Sequence, residues 1–93
     1  MILVKRVNTR IYGIVQNVGF RNFVRRNAEQ LGITGWVKNN LDGTVEALFE
    51  GDDTSVVELI EKCKKGPMLA MVEKVEVRDE EPKQEFEEFH IFK

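Results

Sequence analysis

The stretch from Val4 to Leu31 most constrains the fold, because its apolar period changes from that of a strand to that of a helix across one short loop. In residues 4–15, mostly apolar side chains alternate with mostly polar ones, as in a half-buried strand. The apolar residues that follow are three or four positions apart, which predicts a helix that ends at Gly32. These helical positions are Phe20, Phe23, Val24, Ala28 and Leu31. A strand therefore leads directly into a helix through residues 16–19.

The rest of the chain predicts a hairpin, a second helix and two more strands. Residues 33–38 and 44–50 are rich in β-forming side chains, and the Asn and Asp-Gly between them accept positive φ at low cost. The second helix is expected to begin near Asp53, with Ser55 and Glu58 at capping-box spacing, and to end at Gly66-Pro67. Two strands then follow, at residues 71–78 and 86–92, separated by an acidic turn with a proline at residues 79–82.

This order, β-α-β-β-α-β-β, contains two β-α-β units with right-handed crossovers, which place both helices on one face of an antiparallel sheet. The sequence therefore predicts an α+β ferredoxin-like sandwich with one additional C-terminal strand. No linker, repeat or low-complexity segment divides the chain, and its 93 residues are enough for one small core. We expect a single domain over residues 1–93.

The composition is that of an ordinary soluble domain, with 42% hydrophobic and 32% charged residues. No apolar run approaches the roughly 20 residues that span a bilayer, and the N-terminus lacks the order of charges typical of a signal peptide. The single cysteine, Cys63, excludes an internal disulfide and a Cys-rich metal site. We expect a cytoplasmic monomer that binds neither membranes nor nucleic acid.

The net charge of −2 is unevenly distributed along the chain. Residues 1–47 carry seven Lys or Arg against three acids, whereas residues 48–93 carry seven against thirteen. The first half is thus the one that would attract a small anion. For any single charged side chain, an ordinary solvated surface remains the simpler explanation.

The junction between the first strand and the first helix is a candidate anion site. Loop N–H groups and the helix N-terminus converge there and can bind phosphoryl oxygens. Arg21 adds a permanently charged guanidinium in a helical turn where the helix dipole disfavours a cation, unless an anion lies nearby. The candidate phosphate-binding residues are Gln16, Asn17, Val18, Gly19, Phe20 and Arg21. On these residues alone, a ligand and a simple turn are equally supported.

Asn39 is the second candidate, because it ends the second strand. The first and second strands of a β-α-β unit come close after the crossover, so its amide is expected beside the loop, in a position to orient a water. A role as a turn former, like that of Asn40, is the plainer alternative.

Other reactive groups are scarce. His90 is expected as a partly exposed sheet residue and Cys63 as a packed thiol on the second helix. The sequence shows neither a pair of carboxylates at strand ends nor metal-ligand spacing. Any reaction must therefore do without a metal, a covalent intermediate or a strong base.

These motifs resemble those of the acylphosphatase family. The pattern G-x-V-Q-x-V-x-F-R covers residues 13–21, A-x-x-L-G-I-x-G-W-V-K-N-x-x-D-G-T-V-E covers residues 28–46, and a Gly-Pro follows the second helix. The resemblance extends from about Thr9 to Ile91. It implies that residues 16–21 cradle a phosphate, that Arg21 binds it and that Asn39 positions the attacking water. The implied reaction is hydrolysis of a carboxyl–phosphate anhydride without metal or cofactor, inhibited by inorganic phosphate or sulfate.

One residue departs from the family pattern. The loop of the family usually reads Q-G-V, whereas this chain has Asn17 between Gln16 and Val18. Asn is among the non-glycine residues that best tolerate positive φ, so we expect the cradle to form. Its side chain would either crowd the phosphate or donate to it. A non-catalytic anion-binding or regulatory module of the same fold is the alternative function, and a single-stranded RNA binder is a weaker one.

Overall fold

Seven elements occur in the predicted order in the computed structural model, which describes residues 3–93. The elements are β1 (Val4–Ile14), α1 (Phe20–Gln30), β2 (Thr34–Asn39), β3 (Val45–Asp52), α2 (Asp53–Lys65), β4 (Met71–Glu80) and β5 (Phe89–Ile91). The first two residues of the predicted domain lie outside the described residues.

The sheet has the strand order β4-β1-β3-β2-β5, and its first four strands are antiparallel. The ferredoxin-like sandwich is therefore confirmed. The antiparallel prediction is wrong at one edge, because β5 runs parallel to β2. The chain leaves β4 at one edge of the sheet and returns at the other, through residues 81–88, so β5 runs opposite to β4 and in the same direction as β2.

The last two strands differ in length from the prediction. β4 continues through Asp79 and Glu80, which pair with Val7 and Arg6 of β1, so the predicted turn at 79–82 begins too early. Ion pairs from Lys5 to Asp79 and from Arg6 to Glu80 favour this extension. β5 is only three residues long, whereas 86–92 was predicted.

The core lies between the sheet and the two helices. The inward positions of β1 are buried as the alternation predicts, and each helix buries one apolar stripe. The stripes are Phe20, Val24 and Ala28 on α1 and Val56, Leu59, Ile60 and Cys63 on α2. Burial raises the pKa of the Cys63 thiol to about 12, so this cysteine is the packed residue that was expected, and it is not a nucleophile near neutral pH.

The start of α2 is where the capping prediction is wrong. The N-cap is Asp52, no side chain caps the helix, and Ser55 lies inside the first turn. The helix begins at Asp53, as expected, and the backbone N–H of Asp53 donates to the carbonyl oxygen of Leu3, 2.9 Å away. α2 ends at Lys65, and its C-cap residue Gly66 has a φ of 73°, in the left-handed region.

Candidate active site at the β1–α1 junction

The loop between β1 and α1 presents unpaired backbone donors. Asn17 has a φ of 62° and Gly19 a φ of 77°, so two left-handed residues turn the chain sharply into the helix. Gly19 is the N-cap of α1 and has no side chain to occupy the first N–H groups. Within residues 3–93, the N–H groups of residues 17–20 donate no hydrogen bond. Left-handed Asn17 confirms that Asn can replace glycine in this backbone.

A small cleft of about 80 Å³ lies inside this loop. Its volume is close to that of a few water molecules, which suits a tetrahedral anion. The lining residues are Val15, Asn17, Gly19, Phe20, Arg21, Asn22 and Asn39. The cleft therefore brings together the two parts of the predicted site, the loop and the end of β2. Of the predicted phosphate-binding residues, Gln16 and Val18 do not line it.

The Arg21 side chain is half-buried at the mouth of the cleft. Its Nη1 donates to the backbone oxygen of Phe92, 3.2 Å away, at the end of the sheet. No acid of residues 3–93 forms an ion pair with it, and the first turn of α1 contains no acid. The guanidinium charge is thus held in place without being neutralised, and an anion in the cleft can pair with it.

The Asn39 side chain carries a buried acceptor with nothing bound to it. Its Oδ1 is buried and accepts no hydrogen bond from residues 3–93. Leaving a buried polar atom unsatisfied costs roughly 1–3 kcal/mol, so a chain retains such an atom where something else binds it. Asn39 is also one of the residues that line the cleft, so its side chain lies next to the space enclosed by the loop.

The position of Asn39 is as predicted, but the reason given for it is wrong. β3 lies between β1 and β2, so those two strands are not neighbours. Asn39 reaches the loop because α1 crosses from the end of β1 to pack on β2 and β5, which carries the start of the helix over the end of β2.

The Gln16 side chain has a role that the sequence did not reveal. Its Nε2 donates to the backbone oxygens of Asn40, at 2.8 Å, and Thr44, at 2.9 Å, on the turn between β2 and β3. Asp42 closes the same turn by accepting from the N–H and the hydroxyl of Thr44. The spacing Asp42-x-Thr44 is a sequence signal for that turn, but no local signal indicates its link to residue 16.

A wider groove of about 660 Å³ adjoins the cleft and gives it access to solvent. Arg21, Asn22 and Asn39 line both spaces, and Ile91 and Lys93 complete the groove.

His90 is exposed and stacks on Phe92 with ring centroids 6.2 Å apart, as expected for a sheet residue. Among residues 3–93 there is no group of three or more His, Cys, Asp or Glu arranged to hold a metal ion.

The sequence profile of the acylphosphatase family matches residues 7–91. The chain belongs to the acylphosphatase family. This match covers both parts of the cleft and every element of the fold except the start of β1.

Individual acylphosphatases support the assignment. The acylphosphatase of Thermococcus kodakarensis is 54% identical over 77 residues, which are 83% of this chain and 85% of that protein. The crystal structure of acylphosphatase from Bacillus subtilis superposes with a TM-score of 0.92 at 32% identity, covering 98% of this chain and all of that one. The family assignment makes the chain an acylphosphatase, which is a hydrolase.

A part of a larger protein has the same fold. The structure of full-length HypF in the phosphate- and nucleotide-bound form matches all of this chain with a TM-score of 0.91 at 30% identity. This chain covers 12% of that protein, so the likeness concerns one segment of it.

Among the described residues, no helix is both long and apolar enough to cross a membrane.

Proposed function

We propose that the cleft at the β1–α1 junction hydrolyses acyl phosphates to a carboxylate and inorganic phosphate. One observation carries this proposal. The cleft of about 80 Å³ is lined by free backbone donors, by an unneutralised guanidinium and by Asn39, whose buried amide oxygen accepts no hydrogen bond from the described residues. Donors alone would suit an anion-binding site, whereas the additional acceptor is what a nucleophilic water needs.

The phosphate is held by the loop and by Arg21. The free N–H groups of Asn17, Gly19 and Phe20, in the loop and at the start of α1, supply the positive ends that bind the phosphoryl oxygens. Arg21 binds two of those oxygens with its planar fork and offsets the charge that they carry. These groups are fixed before the substrate arrives, so they stabilise the transition state without reorganising.

The attacking water is held by Asn39. A water that donates one hydrogen to Oδ1 has a lone pair free to attack phosphorus, opposite the departing carboxylate. Among the described residues that line the cleft, Arg21 alone carries a formal charge, so none of them acts as a general base. The phosphate of the substrate accepts the proton of the water, and the carboxylate is a good enough leaving group to depart without a general acid.

Asn17 is compatible with this reaction. Its backbone takes a left-handed conformation, which the glycine of the family pattern would also adopt easily, and the residue lines the cleft. The amide can therefore donate a further hydrogen bond to the phosphate, and we expect the enzyme to be active with Asn at this position.

A non-catalytic anion-binding or regulatory module is the second candidate, because the same fold also occurs as one segment of a larger protein, full-length HypF, in a phosphate- and nucleotide-bound form. A module that only binds an anion has no use for the unsatisfied oxygen of Asn39. The catalytic proposal is therefore better supported.

The proposed partners are small molecules. Inorganic phosphate and sulfate fit the same donors and compete with the substrate. We further propose a monomer that works in the cytoplasm and binds neither nucleic acid nor a membrane. The acidic net charge of −2 supports the absence of nucleic acid binding.

The test is an assay of benzoyl phosphate hydrolysis with EDTA present. We expect turnover that is unaffected by the chelator and competitively inhibited by phosphate. Phosphate binding without hydrolysis would instead establish the regulatory module. Turnover that EDTA abolishes would contradict the mechanism proposed for this cleft.

A further inference from the structure

We propose that the side chain of Gln16 is a positioning residue that holds the water-binding Asn39 at a fixed distance from the phosphate cradle. This inference rests on the proposed function and adds a residue that does not contact the substrate. Gln16 lies directly before Asn17 of the cradle, and Asn40, which it binds, lies directly after Asn39. One side chain thus spans the two parts of the site.

The backbone alone does not join these two parts. The pairing between β1 and β3 ends at Ile11 and Val45, five residues before Gln16. Within residues 3–93, β1 pairs beyond that point only with β4, on the side away from Asn39. The amide of Gln16 supplies the missing connection, with two hydrogen bonds of 2.8 and 2.9 Å.

The turn that receives these bonds is already closed without them. The N–H of Asn40 donates to the oxygen of Thr44 at 2.9 Å, and the N–H of Gly43 donates to the oxygen of Asn40 at 3.2 Å. Asn40 Nδ2 and Thr44 Oγ1 add a further bond of 3.0 Å. Each carbonyl bound by Gln16 therefore keeps a backbone donor when Gln16 is removed. The turn should stay folded and lose only its fixed position relative to the loop.

Loss of that fixed position has a specific consequence for catalysis. The phosphate is bound by N–H groups and by Arg21, which belong to the loop and to α1, so its affinity does not depend on the turn. The water is bound by Asn39, which belongs to the strand leading into the turn. Misplacing a reacting group by about 1 Å can lower a rate roughly 100-fold. Gln16 should thus affect kcat and leave phosphate binding largely intact.

The test compares Gln16→Met with Gln30→Met, a matched change at an exposed position of α1. For Gln16→Met we expect kcat to fall about 10- to 100-fold, while the inhibition constant of phosphate changes less than about threefold. Gln30→Met should behave like the native protein. Equal kcat in the two variants would overturn the inference.

A double-mutant cycle with Asn39→Ala separates positioning from a general structural effect. If Gln16 acts through Asn39, then Gln16→Met costs little or nothing further in kcat once Asn39 is Ala. The same fold-loss in both backgrounds would mean that Gln16 acts elsewhere, and would overturn the inference.

A measurement on the native protein keeps the inference testable if Gln16→Met does not fold. The side-chain amide protons of Gln16 should exchange with solvent more slowly than those of Gln30. The reason is that the Nε2 group of Gln16 donates two hydrogen bonds, to the backbone oxygens of Asn40 and Thr44. Exchange as fast as that of Gln30 would overturn the inference. This readout is independent of turnover, so a native protein without hydrolase activity would contradict the proposed function and leave the exchange result standing on its own.

Discussion

The two β-α junctions of this fold have opposite electrostatic character. At the first, five residues separate β1 from α1, the N-cap is a left-handed glycine, and the first turn carries Arg21. At the second, α2 follows β3 with no intervening loop, and Asp52 and Asp53 place two carboxylates at the helix start. Acids stabilise a helix N-terminus by occupying its positive end, whereas the first junction leaves that end open to a ligand. The fold supplies two similar positions, and the local residues leave only the first of them open to an anion.

Removing the charge of Arg21 should have the largest effect on the first junction. We expect Arg21→Ala to lower kcat/KM for benzoyl phosphate by about 10³-fold or more, because a preorganised charge on the phosphoryl oxygens is lost. Inhibition by phosphate should disappear with it. Arg25→Ala, on the exposed side of the same helix, is the control and should leave both unchanged. Native turnover by Arg21→Ala would end the proposal.

Removing the acceptor of Asn39 should have the next largest effect, and one of a different kind. We expect Asn39→Ala to lower kcat about 100-fold and to change phosphate inhibition less than about threefold, because the phosphate ligands remain in place. Steady-state kinetics and the inhibition constant of phosphate measure the two effects separately. A parallel loss of both would place Asn39 among the phosphate ligands.

Placing a carboxylate in the first turn of α1, where α2 has Asp53, tests the comparison of the two junctions directly. Asn22 lies in the first turn of α1 and lines the cleft, so Asn22→Asp places a carboxylate there, as Asp53 does in α2. We expect the inhibition constant of phosphate to rise roughly tenfold at low ionic strength and less at high salt. Asn22→Ala is the neutral control. An unchanged constant in Asn22→Asp would mean that the field at this helix start does not govern anion binding.

Two substitutions of Asn17 test whether the left-handed backbone at the first junction matters for activity. Asn17→Gly keeps the left-handed backbone and should change kcat/KM less than about threefold, whereas β-branched Asn17→Val opposes it and should cost about tenfold or more. The ratio between these two variants is the measurement. If Asn17→Val were as active as Asn17→Gly, the left-handed conformation would be unimportant for the cradle.

The smallest expected effect concerns the turn that Gln16 holds. The hydroxyl and N–H of Thr44 lower the pKa of Asp42 below its ordinary value of 3.8. A carboxyl whose pKa is lower in the folded state adds stability above its unfolded pKa and loses it as the pH falls through the folded pKa. Thermal unfolding of Asp42→Asn should therefore show a slightly lower Tm at neutral pH and a smaller further loss below about pH 4. An identical pH profile in the two proteins would mean that these bonds do not form.

Local patterns predicted those parts of the structure that depend on neighbouring residues. The alternation in β1, the helical stripe ending at Gly32 and the hairpin at Asp42-Gly43 all report local backbone preferences, so they were predicted correctly. β5 depends on pairing with β2, more than fifty residues away in sequence, and no local pattern shows its direction. The extension of β4 likewise depends on Lys5 and Arg6, at the other end of the chain.

The candidate site likewise has parts that local sequence predicts and parts that depend on residues far apart in the sequence. The loop at residues 16–21 was recognisable as a candidate anion site because its donors come from consecutive residues. Asn39 was placed correctly with an incorrect reason, since adjacency of β1 and β2 was assumed and β3 lies between them. The bonds from Gln16 to the turn join residues 24 and 28 positions apart, and they become visible only once the strand order is known.

A crystal structure with phosphate bound would test the central claim most directly. The account predicts phosphate oxygens within hydrogen-bonding distance of the N–H groups of residues 17–20 and of Arg21. It also predicts one water between phosphorus and Asn39 Oδ1. Phosphate bound at the acidic start of α2, or Asn39 bound to the phosphate with no room for that water, would contradict it.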